Sequence, residues 1–163
     1  METTPSPRPT FFEDFEAGQQ YTTEEHVVTE AEVAAFAQLS GDHNRLHIDP
    51  EFAAQSPYRR RIAHGLLVMS QVSGLASQLG LLGESVLAFR QLDWKFRRPV
   101  YIGDAVHALV AVTQTLSIPR LGGGLVQFAI RVHNQHNESV QTGSWRILIR
   151  SHECSSLDPV TAG

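Results

Sequence analysis

Asp42 and His47 stand five residues apart in the segment Asp42-His43-Asn44-Arg45-Leu46-His47-Ile48-Asp49. Histidine titrates near neutral pH and a carboxylate is its complementary partner, so the two form a candidate acid/base pair. His64 follows seventeen residues after His47, inside Ile62-Ala63-His64-Gly65-Leu66-Leu67, which opens a long apolar segment. If that segment is a helix, its first backbone N–H groups and its dipole can hold negative charge. An acid/base pair beside such a donor suits addition or removal of water next to a carbonyl. The competing readings are structural: Asp42 as a turn cap after Gly41, and His47 as a loop histidine bonded to backbone.

Other residues nearby carry weaker signals. Gly65 permits close approach to its backbone N–H because it has no side chain, although simple helix–sheet packing would ask for the same residue. Asn44 is expected to bond the loop backbone, and Asp49 to start a helix at Pro50. Ser73 either bonds a catalytic side chain or packs in mid-helix. Asp42, His43, His47, His64 and Asp49 are all metal-ligand types, but their spacing fits no helical two-histidine zinc motif, so no metal is expected. No Gly-x-Ser-x-Gly nucleophile is present. Gly122-Gly123-Gly124 sits between strand-like segments and not at a strand-to-helix turn, so no dinucleotide cofactor is implied.

The 163 residues are enough for one domain with a real core, and 42% hydrophobic against 18% charged content reads as globular. A formal net charge of -4 and the lack of a long basic block argue against nucleic-acid binding. Arg59-Arg60-Arg61 is either a contact for a small anion or a solvated turn. The single cysteine, Cys154, has no internal disulfide partner and reads as an incidental thiol. No apolar run approaches the roughly 20 residues of a membrane span. Residues 1–9 contain no apolar leader core, so the cytoplasm is the default compartment.

The elements that must position these residues follow from periodicity and turn signals. Residues 1–10 read as a flexible lead, 11–151 as one domain, and 152–163 as a polar tail. Tyr21 to Val28 looks like a strand. Thr29 with Glu32 forms a capping box for a helix whose apolar residues include Val33, Phe36, Ala37 and Leu39; Gly41 ends it. A short helix starts at Pro50. His64 to Leu79 is the most apolar helix and the one expected at the centre. Four strands then run over Ser85–Arg97, Ala105–Leu116, Gly124–Asn134 and Ser139–Arg150. This is an α+β pattern, and its simplest packing is one antiparallel sheet wrapped around the long central helix, the hotdog architecture.

With these motifs in this order, the sequence resembles the MaoC-like dehydratases, the (R)-specific enoyl-CoA hydratase family. That family's motif runs Asp-x-Asn-Pro-x-His-x-Asp, matched here by Asp42 through Asp49 except at Arg45, where proline is usual. Ala37-Gln38-Leu39-Ser40-Gly41, Pro50-Glu51-Phe52-Ala53, the His64-Gly65 segment and Ser73-Gly74 also fit. The resemblance covers roughly residues 11–150. It implies that Asp42 and His47 are the catalytic acid/base pair holding the reacting water. His64, Asn44 and Ser73 would support them, with Gly65 as a backbone donor to the thioester oxygen.

The implied reaction is reversible syn addition of water to a trans-2-enoyl thioester, giving an (R)-3-hydroxyacyl thioester on CoA or a carrier protein, without cofactor or metal. A hotdog thioesterase and a non-catalytic acyl-thioester binding module are the alternatives. Arg45 either recognises an anionic group or simply faces solvent. A homodimer or higher homo-oligomer is expected, because long apolar strands would otherwise leave an exposed sheet edge.

Overall fold

The structure is a computed structural model that describes residues 11–154. The predicted lead, 1–10, and residues 155–163 of the predicted tail lie outside the described residues. Ser151 and His152 fold back on the start of the domain: the Ser151 hydroxyl and the His152 N–H donate to the Glu13 carboxylate.

Strands β1 (Gln20–Thr22), β2 (His26–Val27), β3 (Val86–Phe96), β4 (Ala105–Ile118), β5 (Gly123–Asn134) and β6 (Ser139–Arg150) make one antiparallel sheet. Its order is β1-β4-β5-β6-β3, with β2 also paired to β4. The four long strands begin and end within two residues of the sequence expectation. On β4 and β5 alternation is the reason, since Val106, Ala108, Val110 and Val112 on β4 face inward, as do Val126, Phe128, Ile130 and Val132 on β5; β6 instead buries Ile147, Leu148 and Ile149 in succession. Helix α4 (Gly65–Gln78) adds Leu67, Val68, Val72 and Ala76 to the same core. The sheet thus wraps one long helix, as the α+β hotdog reading requires.

Two expectations need correction. The single strand predicted over Tyr21–Val28 is split into β1 and β2. At Thr23 the backbone N–H still donates to the Ala108 carbonyl at 3.0 Å, but the return bond from the Ala108 N–H goes to the Thr23 side-chain oxygen at 2.9 Å. The segment between Asp42 and His47 is not all loop. Asn44 caps a single helical turn, α2 (Arg45–Ile48), by accepting from the Leu46 N–H at 3.0 Å.

Helix α1 (Glu30–Ser40) delivers Asp42. Thr29 accepts from the Glu32 N–H, and Glu32 accepts in return from the Thr29 N–H at 2.8 Å, the expected capping box. At the other end Gly41 adopts φ 75°, a left-handed turn that a side chain disfavours. Helix α3 (Pro50–Gln55) follows α2, and Asp49 caps it by accepting from the Phe52 N–H at 3.0 Å. Thr29→Ala is expected to lower unfolding stability by about 1 kcal/mol. A denaturant titration with an unchanged midpoint would contradict this account of how α1 is anchored.

Candidate active site

The site forms where the end of α1, the turn α2 and the start of α4 meet. Asp42 is exposed, and its Oδ1 accepts from the Asn44 N–H at 3.2 Å, which sets the carboxylate at the head of α2. His47 leaves α2 one turn later and is half-buried. Its Nδ1 lies 2.8 Å from the Ile62 carbonyl, which can only accept. Nδ1 therefore carries the proton, and Nε2 presents a lone pair.

His64, 2% exposed, is the N-cap residue of α4. Its Nε2 donates to the Asp42 carbonyl at 2.9 Å, so its Nδ1 also holds a lone pair, buried and without a partner. The His47 and His64 rings lie face to face, centroids 3.9 Å apart and tilted by 33°. One ligating atom each from Asp42, His47 and His64 lies within 4.8 Å of the others. Three atoms no farther apart than 4.8 Å leave a point within about 2.8 Å of all of them (4.8 Å divided by the square root of three), hydrogen-bond distance for one water. The same donors are types that a divalent cation accepts.

Electrostatics favour the neutral form of His47. Burial lowers the pKa of His47 below the ordinary imidazole value. The Ile62 carbonyl and the Asp42 carboxylate push it back up, and His64 pushes it down, with a net lowering. His47 is consequently neutral at pH 7 and able to accept a proton.

Beside the pair opens a cleft of about 390 Å³, lined by His47, Gly65, Leu66, Phe96 and Gln141 among others. Gly65 is the first residue of α4, where the helix itself offers the N–H no acceptor. A Cβ on Gly65 would sit 2.7 Å from the Phe96 ring, so no other residue fits without moving that ring. The neighbouring segment is fixed by Ala63 N–H donating to Val100 at 2.7 Å and Ile62 N–H donating to Leu46 at 3.2 Å.

Two residues singled out from the sequence are placed away from this centre. Ser73 does not reach the pair: its hydroxyl donates to the Ser70 carbonyl at 2.8 Å, the usual bond of a serine within a helix. Arg45 is absent from the cleft lining and is held locally. Its Nε and Nη2 donate to Asp49 Oδ2 at 3.0 and 2.8 Å, and its guanidinium lies 4.5 Å from the centre of the Phe52 ring. The arginines that line the cleft are Arg97 and Arg98. Sequence reading missed them, and missed Gln141; a polar residue interrupting the apolar run of β6 was the available signal.

Residues 14–122 match the family model for the MaoC like domain. The chain belongs to that family. Within it, the chain is 49% identical over 83 residues to the (R)-specific enoyl-CoA hydratase of Aeromonas caviae, a match covering 51% of this chain and 60% of that protein. It is 34% identical over 112 residues to the 3-hydroxybutyryl-CoA dehydratase of Methylorubrum extorquens, covering 69% of each. Among solved structures, the (R)-hydratase from A. caviae involved in PHA biosynthesis superposes with a TM-score of 0.72 at 35% identity, covering 83% of this chain and 97% of that one. This MaoC-like chain therefore shares the hotdog frame with a hydratase over nearly all of that enzyme's structure.

An NMR titration of His47 is expected to give a midpoint below the ordinary imidazole value of about 6.5. Asp42→Asn should lower it further, because a negative charge that favours the imidazolium is removed. A midpoint at or above 6.5, or an upward shift in Asp42→Asn, would contradict the electrostatic account.

Proposed function

We propose that this protein is a hydratase/dehydratase that reversibly adds water to trans-2-enoyl thioesters, giving (R)-3-hydroxyacyl thioesters. The observation that carries the reading is the gathering of Asp42, His47 and His64 donors within 4.8 Å, beside Gly65 at the start of α4. The names of the Aeromonas and Methylorubrum relatives support the substrate class and the product's hand.

In the hydration direction, a water held by Asp42 and His47 loses a proton to His47 Nε2 as its oxygen bonds to C3. The C2–C3 π electrons move toward the thioester carbonyl, whose oxygen gains negative charge. The Gly65 N–H and the α4 dipole stabilise that enolate, a role worth roughly 3–4 kcal/mol for a well-placed donor. The enolate then takes a proton at C2 from the cluster, through the Asp42 carboxyl or directly from the imidazolium. Hydroxyl and proton both come from one side of the substrate, so addition is syn. The dehydratase reaction is the same path reversed. No nucleophile and no cofactor are needed.

Arg97 and Arg98, both among the residues lining the cleft, suit the phosphate groups of CoA or of a carrier's prosthetic arm, although Arg97 also donates to Thr142 and Arg98 pairs with Glu138 at 3.4 Å. Self-association follows from the sheet edge. β3 ends the strand order, and Phe89, Leu92 and Phe96 on it are exposed, which suits pairing with a second copy. No helix among the described residues is long and apolar enough to cross a membrane.

Crotonyl-CoA is the direct test. Loss of conjugated-enone absorbance without release of free thiol is expected. Asp42→Asn and His47→Gln should each lower kcat by at least ~10²-fold with little change in Tm. Thiol release at the rate of substrate loss would point to a thioesterase, and near-wild-type turnover in either variant would remove the assignment. Leu92→Lys on the exposed edge is expected to weaken self-association in sedimentation; a monomeric wild type would contradict the edge-pairing reading.

A further inference from the structure

Gln141 is 2% exposed, yet it is a polar residue on a strand that otherwise buries Val140, Trp145, Ile147 and Ile149. A buried amide is costly unless both of its ends are bonded. Both are. The Trp94 indole N–H donates to Gln141 Oε1 at 2.9 Å. An indole nitrogen can only donate, which fixes the oxygen end of the amide and leaves Nε2 as a donor. That nitrogen donates to the Gly65 carbonyl at 3.0 Å.

The indole is itself held in place. Trp94 pairs across the ladder with Gly143, where an added Cβ would meet the indole at 2.1 Å, so only a bare backbone leaves room for the ring. Its other neighbour is the buried Trp145, nearly parallel at 14° and 6.0 Å away. Gln141 also pairs in register with Phe96, the residue whose ring covers Gly65. Neighbouring β3 and β6 thus grip the start of α4 at two points, the Phe96 ring on the glycine and the Gln141 amide on its carbonyl.

α4 needs an external grip. Its N-cap residue, His64, makes no side-chain cap bond, because its ring is turned to the Asp42 carbonyl. Its first residue is glycine, the residue with the widest backbone freedom. The helix start that must aim a backbone N–H is therefore the part least restrained by its own sequence.

We propose that Gln141, oriented by Trp94, is a positioning residue that anchors Gly65 by its carbonyl and so restricts rotation about the glycine's φ and ψ, keeping its N–H, on the preceding peptide unit, toward the thioester oxygen. This rests on the hydratase reading of the site. The contribution belongs to the transition state, where charge develops on that oxygen, and not to substrate binding.

The test compares wild type with Gln141→Met, which keeps the side chain's length and removes both polar ends. Turnover of crotonyl-CoA is expected to fall about 10- to 100-fold in kcat, with KM changed less than about 3-fold and little change in Tm. Trp94→Phe, which leaves Gln141 without its orienting donor, should show a smaller loss of the same kind. The double variant should be no worse than Gln141→Met alone. Backbone ¹⁵N relaxation should show Gly65 more mobile in Gln141→Met than in wild type. Unchanged kcat in Gln141→Met beside an active wild type would overturn the proposal, as would a rise in KM alone or unaltered Gly65 mobility. If wild type itself does not hydrate the thioester, the hydratase reading fails, and the Gly65 relaxation decides the grip independently. If Gln141→Met does not fold, Trp94→Phe carries both measurements.

Discussion

The hydrogen bond from the His64 ring to the Asp42 carbonyl ties together two stretches of chain that the Ile62–Leu46 and His47–Ile62 bonds already bring side by side. Asp42 follows the end of α1 and His64 opens α4, so this bond sets the carboxylate against the helix start. It also fixes the His64 ring as the surface on which the His47 ring rests. The cost is the buried, unpartnered Nδ1 of His64, a group whose desolvation is worth roughly 1–3 kcal/mol.

The sheet makes the arrangement rigid. α4 is buried in its concave face through Leu67, Val68, Val72 and Ala76, so the start of the helix cannot slide without disturbing the core. A side chain at position 65 would have to displace the Phe96 ring. The acid/base cluster comes from the α1–α2 side and the backbone donor from α4, and bonds from Ile62 and Ala63 to Leu46 and Val100 help hold the two together. Specific chemistry therefore depends on several ordinary backbone bonds outside the reacting groups.

The signals in the sequence were local ones. Thr29, Glu32 and Gly41 declare the two ends of α1 by side-chain type alone, and alternation marks β4 and β5. The Asp42–His47 spacing reveals a candidate pair because both lie within one short segment. What was missed depends on distant partners. The Thr23 side chain takes the return bond from the Ala108 N–H, which nothing near Thr23 announces. Arg45 stands where the family usually has proline, and its commitment to Asp49 and Phe52 depends on how α2 turns into α3. Ser73 fits a motif by register, but the helix backbone captured its hydroxyl. Gln141 and Gly65 are neighbours only through the pairing of β3 with β6 and the docking of α4.

The central claim is that one cluster, on one side of the bound substrate, supplies both the hydroxyl and the proton. Hydration of crotonyl-CoA in D₂O, followed by NMR analysis of the 3-hydroxybutyryl product, tests it most directly. The account predicts a single deuterium at C2, syn to the C3 hydroxyl, and the R configuration at C3. Deuterium anti to the hydroxyl, or equal labelling of both C2 positions, would contradict it.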